Sequence, residues 1–326
     1  MRKILSIILC TLISLNCLIA QKPSDPLAHT YSIVARDPDT GEIGVAVQSH
    51  WFSVGTAVSW AEAGVGAVAT QSFTNVSFGP KGLSLMKSGL NPQKALDILL
   101  ANDEGKDYRQ VALINEKGEV ATHTGEKCID FASHLNGENF SVQANMMLNN
   151  TVVSAMEKAW KINEGVPLAK RMLIVLEAAQ NQGGDIRGKQ SAALLVVAPK
   201  SSDAPWEDRL VDLRVDDHEN PLQELGRLLD VHEAYQYMNK GDVHVEKGEM
   251  KEAMQAYNSA MKIFPDNLEM QYWTAITLAN DDKIEQAVHM LQSIYTKDSN
   301  WRELTKRLPK VGLLSVNESE LSLLLK

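Results

Sequence analysis

Cysteine is nearly absent from this chain of 326 residues, with three in all at Cys10, Cys17 and Cys128. The first two fall in the N-terminal stretch that reads as a removable leader, which leaves Cys128 alone and excludes an intramolecular disulfide in the remainder. A lone cysteine of this kind is expected as a small buried hydrophobe. Aromatic residues are scarce, at 6%. Positive charge is short too: the net charge is −9, and loss of Arg2 and Lys3 with the leader makes the balance two units more negative. That excludes a basic footprint for nucleic acid and a polybasic membrane patch. No run after the leader reaches 18 apolar residues, so no stable membrane insertion is expected once the leader is removed. Neither a H-E-x-x-H pair nor a phosphate-binding glycine loop is present, and no metal or organic cofactor is expected.

What is present begins with that leader. Arg2 and Lys3 precede an apolar run over 4–15, too short for a span of about 20 residues, and Ala20 is a small residue suited to cleavage. Residues 1–20 are therefore expected as a signal peptide and the protein as secreted or periplasmic, with lipid anchoring at Cys17 as the alternative. Residues 21–29 form a short propeptide-like segment.

Thr30 opens the first strand pattern. Residues 31–35 and 42–48 are rich in β-formers, and Asp37-Pro38-Asp39-Thr40-Gly41 between them carries turn chemistry, so a hairpin is expected. Further strands are expected at 55–60, 64–70, 108–114, 119–123 and 140–146, with a continuous apolar strand at 191–197 and an edge strand at 208–215. Helical spacing covers 79–87, 92–100, 151–163 and 167–180, the second of these opened by Asn91-Pro92 and the last closed by Gly183-Gly184. This order predicts an α+β fold in which two stacked sheets lie between helical layers. The stretch 199–206 reads as a boundary. From residue 219 the pattern is helical, with Gly241, Ala253, Tyr257, Ala260 and Pro265 at the spacing of a tetratricopeptide repeat and a degenerate copy marked by Ala275 and Ala287. The domains are thus expected at 30–218 and 219–326.

Several polar clusters could carry chemistry. A Thr hydroxyl needs an adjacent base to act as a nucleophile; were the chain cut before Thr30, the new α-amine, with an ordinary pKa of about 8, would supply it. β-Propensity alone also accounts for Thr at a strand start. Ser49 and His50 end the second strand, where neighbouring side chains point to opposite faces. Gln71 and Asn75 follow an apolar strand and could donate to an oxyanion, or simply cap the next helix. Asp185, Arg187 and Gln190 lie between a helix stop and the closing strand; Asp185 with Arg187 could orient substrate or tune the amine, or simply form a surface ion pair at a turn. Asp216, Asp217 and His218 could be read as metal ligands, but capping of the following helix is the simpler reading.

The segments TYSIVARDPDTGEIGVAVQSHWFSVG, GVGAVATQSFTN, HTGEKC, GGDIRGKQSAALLVV and DLRVDDH together resemble the domain-of-unknown-function family 1028, grouped with the Ntn (N-terminal nucleophile) hydrolases. The resemblance spans roughly 30–218. It implies a four-layer αββα sandwich, with Thr30 as nucleophile and α-amine base, acting on an amide or peptide bond through an acyl-enzyme. Gln71 and Asn75 would stabilise the oxyanion, Asp185 and Arg187 would orient, and Ser49, His50 and Gln190 would bind substrate. The helical extension resembles one linked in related chains to peptidoglycan. A noncatalytic cell-envelope protein, binding a protein or peptidoglycan partner through its helices, is the alternative.

Overall fold

The computed structural model describes residues 27–326. The leader read at 1–20, and all of the propeptide-like segment except its last three residues, lie outside the described residues.

Eleven strands among the described residues form two antiparallel sheets. The six-stranded sheet runs β11 (Arg209–Val215), β10 (Ser191–Val197), β3 (Ile43–Ser49), β2 (Thr30–Arg36), β9 (Phe140–Ala144), β8 (Ser133–Gly137). The second sheet runs β1 (Leu27–Ala28), β5 (Gly66–Phe73), β6 (Arg109–Asn115), β7 (Val120–Thr124), with β4 (Ser59–Glu62) also paired to β5. The expected β2–β3 hairpin forms over its whole length, from Thr30 opposite Ser49 to Arg36 opposite Ile43. Its turn holds because Asp37 Oδ1 accepts from the backbone N–H groups of Asp39 (2.8 Å) and Thr40 (3.0 Å), while Gly41 takes φ 77°.

Period-two alternation gives every central strand two buried faces. Val34, Ile43, Val45 and Val47 of the larger sheet meet Ala67, Ala69, Ala112 and Ile114 of the smaller one, an apolar core between the sheets. The opposite face of the larger sheet, with Tyr31, Ile33 and Leu194, packs on helices α3 (Val152–Ile162) and α4 (Leu168–Asn181). The opposite face of the smaller sheet, with Val68, Val111 and Leu113, packs on α1 (Phe78–Lys87) and α2 (Pro92–Ala101). The Asn91 side chain caps α2 by accepting from Lys94 N, with Pro92 in its first turn.

The C-terminal region is helical: α5 (Pro221–Glu246), α6 (Met250–Ile263), α7 (Leu268–Asn280), α8 (Ile284–Lys297), α9 (Asn300–Arg307) and α10 (Glu318–Leu324). Gly241 on α5 faces the Tyr257 ring on α6 so closely that a Cβ there would lie 2.3 Å from it. Helix α5 has no break where it leaves the sheets. Leu222 and Leu225 at its start are buried in the core beneath α4, and Ala234 and Met238 further along belong to the core of the helical region. No helix among the described residues is long and apolar enough to cross a membrane.

Three expectations are corrected. Residues 55–60 are not one strand: Val54–Thr56 is a 3-10 turn and the strand starts only at Ser59. Gly55 sits against Ala193 and Arg214, where a Cβ would come within 2.5 Å of the Ala193 Cβ, a close approach that strand patterning does not register. The strand read at 140–146 stops at Ala144, since Met146 turns to φ 59°, and its unread partner is β8. The stretch 199–206 is no boundary; it joins β10 to its own neighbour β11, which pairs back antiparallel onto it.

Candidate active site

Thr30 lies at the end of β2 on the face between the sheets, fully buried (0% exposed). In the intact chain its hydroxyl donates to Ala28 O at 2.8 Å. Its carbonyl accepts from Asn145 N (3.0 Å) and Gln71 Nε2 (3.2 Å). The peptide group just before it is held as well: the His29 carbonyl accepts from Ser49 Oγ at 2.5 Å and from Arg187 Nη2 at 2.9 Å. A hydroxyl and a guanidinium on one carbonyl oxygen polarise it and would stabilise negative charge developing there.

Each donor is held in turn. Ser49 is the cross-strand partner of Thr30. Arg187 is fixed by Asp185, whose side chain is fully buried; Oδ1 accepts from Arg187 N (2.9 Å) and Nε (3.0 Å), and Oδ2 from Arg187 Nη2 (2.7 Å) and His50 N (3.1 Å). The loop reaches this position because Gly183 and Gly184 take φ 102° and 60°, which end α4 and turn the chain back beneath Leu148.

The sheet interface is polar at this end. Gln71, Gln110, Gln143 and Asn145 are all buried, and their amides form one network whose direction is determined. Gln110 Nε2 contacts two backbone carbonyls, Ala144 O (2.9 Å) and Ser133 O (3.2 Å), which can only accept. Gln110 Oε1 must then be the acceptor for Gln71 Nε2 (2.7 Å) and Asn145 Nδ2 (3.0 Å). Asn145 Oδ1 is left to accept, so the His29 ring, 2.8 Å away through Nδ1, must donate to it. Burial pushes the His29 pKa below its ordinary 6.5; the Asn145 bond opposes this, the Arg187 charge adds to it and the Asp185 charge opposes. Along the other arm, Ser32 Oγ donates to Gln71 Oε1 and accepts from Gln143 Nε2, both at 2.6 Å.

Thr30, Ser49, Gln71, Asp185 and Arg187 are thus brought together. His50 joins through its backbone only; its ring is exposed, with Nδ1 3.4 Å from Lys189 O. Gln190 pairs its backbone N–H with Ser49 O, but its side chain turns away to Asp217. Asn75 stands apart at the start of α1, where its Oδ1 accepts from Ser77 N and Oγ. Of the acidic trio, Asp216 accepts from Ser53 Oγ, Asp217 from Gln190, and His218 Nδ1 accepts from Asn220 N ahead of α5. No group of three metal-ligating side chains is assembled among the described residues. A cavity of about 750 Å³ opens at the far end of the same hairpin, beside Arg36, Gly41 and Pro199, away from this chemistry.

His29, Gln110, Gln143 and Asn145 were not singled out from sequence. In the stretch Ser141, Gln143, Asn145 the polar residues alternate, a pattern that reads equally as a solvent-facing edge.

No curated protein matches the chain. Among solved structures, it is similar to the crystal structure of protein SPO2555 from Silicibacter pomeroyi, a DUF1028 protein, at 30% identity and a TM-score of 0.55, over 62% of this chain and 88% of that one. Anbu (ancestral beta-subunit) from Yersinia bercovieri is a distant neighbour at 11% identity and a TM-score of 0.31, over 61% of this chain and 92% of that one. Residues 30–225 match the family of unknown function DUF1028, and the chain belongs to that family.

Proposed function

We propose that this protein is an exported amide hydrolase of the N-terminal-nucleophile type, made active by cleavage of the His29–Thr30 bond. The observation that carries the reading is the His29 carbonyl, held by Ser49 Oγ and Arg187 Nη2 immediately before a strand-leading Thr. In the maturation step the Thr30 hydroxyl adds to the His29 carbonyl carbon. The C–N bond breaks, the hydroxyl proton passes to the Thr30 nitrogen, and an ester joins His29 to Thr30. Water then cleaves the ester, releasing the His29 carboxyl group and leaving Thr30 with a free amine. In turnover that amine accepts the hydroxyl proton as Oγ attacks a substrate amide, and passes it to the departing amine. Ser49 and Arg187 hold the oxyanion in both steps, and Gln71 and Asn145 position Thr30 through its carbonyl. Two facing sheets between helix pairs, with Thr30 leading a central strand, are consistent with the Ntn sandwich that the family resemblance implies.

Intact mass of the exported protein tests this. A chain starting at Thr30 is expected, with Thr30→Ser retaining processing and Thr30→Ala abolishing it. A sole species starting at Gln21 overturns the mechanism.

One observation favours a second reading, a noncatalytic envelope protein: Thr30 has no exposed surface, and its nitrogen is in a peptide bond. The tetratricopeptide-like helices would then bind a protein or peptidoglycan. Retention of the whole chain, unprocessed, on cell-wall sacculi would support it; absence of retention counts against wall binding.

A further inference from the structure

The three residues before Thr30 occupy a built groove. Leu27 and Ala28 pair as an antiparallel edge strand with Phe73 and Ser72. Their backbone therefore lies as an added peptide strand would lie. Leu27 is half exposed, whereas Ala28 is fully buried within the apolar core between the sheets, where a larger side chain would have to displace its neighbours. The His29 ring, 2% exposed, stands edge-on to Phe73 with centroids 5.6 Å apart and donates to Asn145 Oδ1. The amide network fixes that oxygen as an acceptor, so the pocket calls for an N–H donor. The Arg187 guanidinium, 2.9 Å from the His29 carbonyl, disfavours a cation there.

We propose that this groove is the acyl-side substrate site of the enzyme, and that its substrates are peptides with a neutral histidine immediately before the cleaved bond and a small residue before that, the chain turning between them as it does here, where His29 N–H donates to the Leu27 carbonyl at 3.1 Å. The proposal rests on the hydrolase reading. In the reaction the amide C–N bond after the substrate histidine gives way to a C–Oγ ester on Thr30. The amine leaves with the transferred proton, and water then restores the Thr30 hydroxyl and frees the histidine carboxyl group. On this view residues 27–29 are held as the first substrate is held.

The test uses two forms of the protein. In the full chain, position 29 is varied and the rate of processing before Thr30 is followed by mass spectrometry. His29 is expected to process at least ten times faster than His29→Glu or His29→Lys, with His29→Gln, a neutral donor, in between. The chain starting at Thr30 keeps every helix among the described residues, and every described strand except the two-residue β1. It is given acetyl-Leu-Ala-His, the Ala, Glu and Lys counterparts of its last residue, and acetyl-Leu-Trp-His, with binding read by calorimetry and turnover on the corresponding aminocoumarin amides. The His peptide is expected to bind and to be cleaved at least ten-fold better than the others. Asn145→Leu should erase the margin over Ala. Cleavage without preference for histidine overturns the groove assignment and leaves the hydrolase standing. Selective binding without cleavage sinks the hydrolase and leaves the groove. Failure of every peptide to bind overturns the proposal.

Discussion

Breaking the Asp185–Arg187 pair from its two sides should give unequal losses of stability. The Asp185 side chain is fully buried and that of Arg187 is 29% exposed. In Arg187→Ala the carboxylate stays buried and keeps only two of its four donor contacts, the backbone N–H groups of His50 and Arg187. Stranding a buried charge costs about 3–5 kcal/mol; the two remaining donors place this case near the lower end, at about 3 kcal/mol. In Asp185→Ala the freed guanidinium can turn to water, and what is lost is a set of charge-assisted hydrogen bonds, at about 2 kcal/mol net. Once the carboxylate is gone, removing Arg187 as well should cost little more. The double variant should therefore resemble Asp185→Ala, which gives a coupling of about 2–3 kcal/mol. Urea unfolding of the four proteins, followed by circular dichroism, measures the cycle. Equal single losses, or a coupling under about 0.5 kcal/mol, would refute the idea that buried Asp185 depends on Arg187.

Leu225→Ala should destabilise the sheet domain by about 2–5 kcal/mol, since Leu225 is fully buried beneath α4; a change below about 1 kcal/mol in urea unfolding would contradict its place in that core. Gly241→Ala should cost about 1–3 kcal/mol through the Tyr257 ring, and Tyr257→Leu in the same chain should recover part of it in thermal melts of the helical signal. His134, which shares a 2.8 Å hydrogen bond with Thr124, has its pKa pushed below 6.5 by burial and then by His123. The unfolded chain therefore takes up this proton first, so the stability tied to neutral His134 is complete above about pH 7 and is lost as pH falls from 6.5 through the lower folded value. His134→Gln should accordingly narrow the drop in melting temperature between pH 7 and pH 5.5; an unchanged drop would show that His134 does not contribute.

The β2–β3 hairpin was legible because its turn chemistry and its β-formers are both local. So was α2, whose start is written in Asn91-Pro92. The turn at Val54–Thr56 was not, because its cause is the approach of Gly55 to Ala193, far along the chain. Strand β8 is half-exposed and polar, and only its pairing with β9 defines it. At the site, Thr30, Ser49, Asp185 and Arg187 could be picked out because they end strands or sit in loops, and Gln71 because it follows the apolar run of β5, although the strand itself continues to Phe73. The amides of Gln110, Gln143 and Asn145 could not. A strand alternating polar and apolar residues signals one wet face, whereas here the polar face is enclosed by a second sheet, and nothing local to a strand says what covers it.

Helix α5 fixes an angle as well as a connection. It begins under α4, within the stretch shared with the family, and runs 21 residues past the family's last matched position, Leu225, into the helical region. A helix turns about 100° per residue, so one residue inserted between Leu229 and Ala234 would swing the far end through more than a quarter circle while leaving each core intact. A tail joined in this way behaves like a keyed shaft rather than a tether, and its length can vary only in whole turns if the same face is to point the same way.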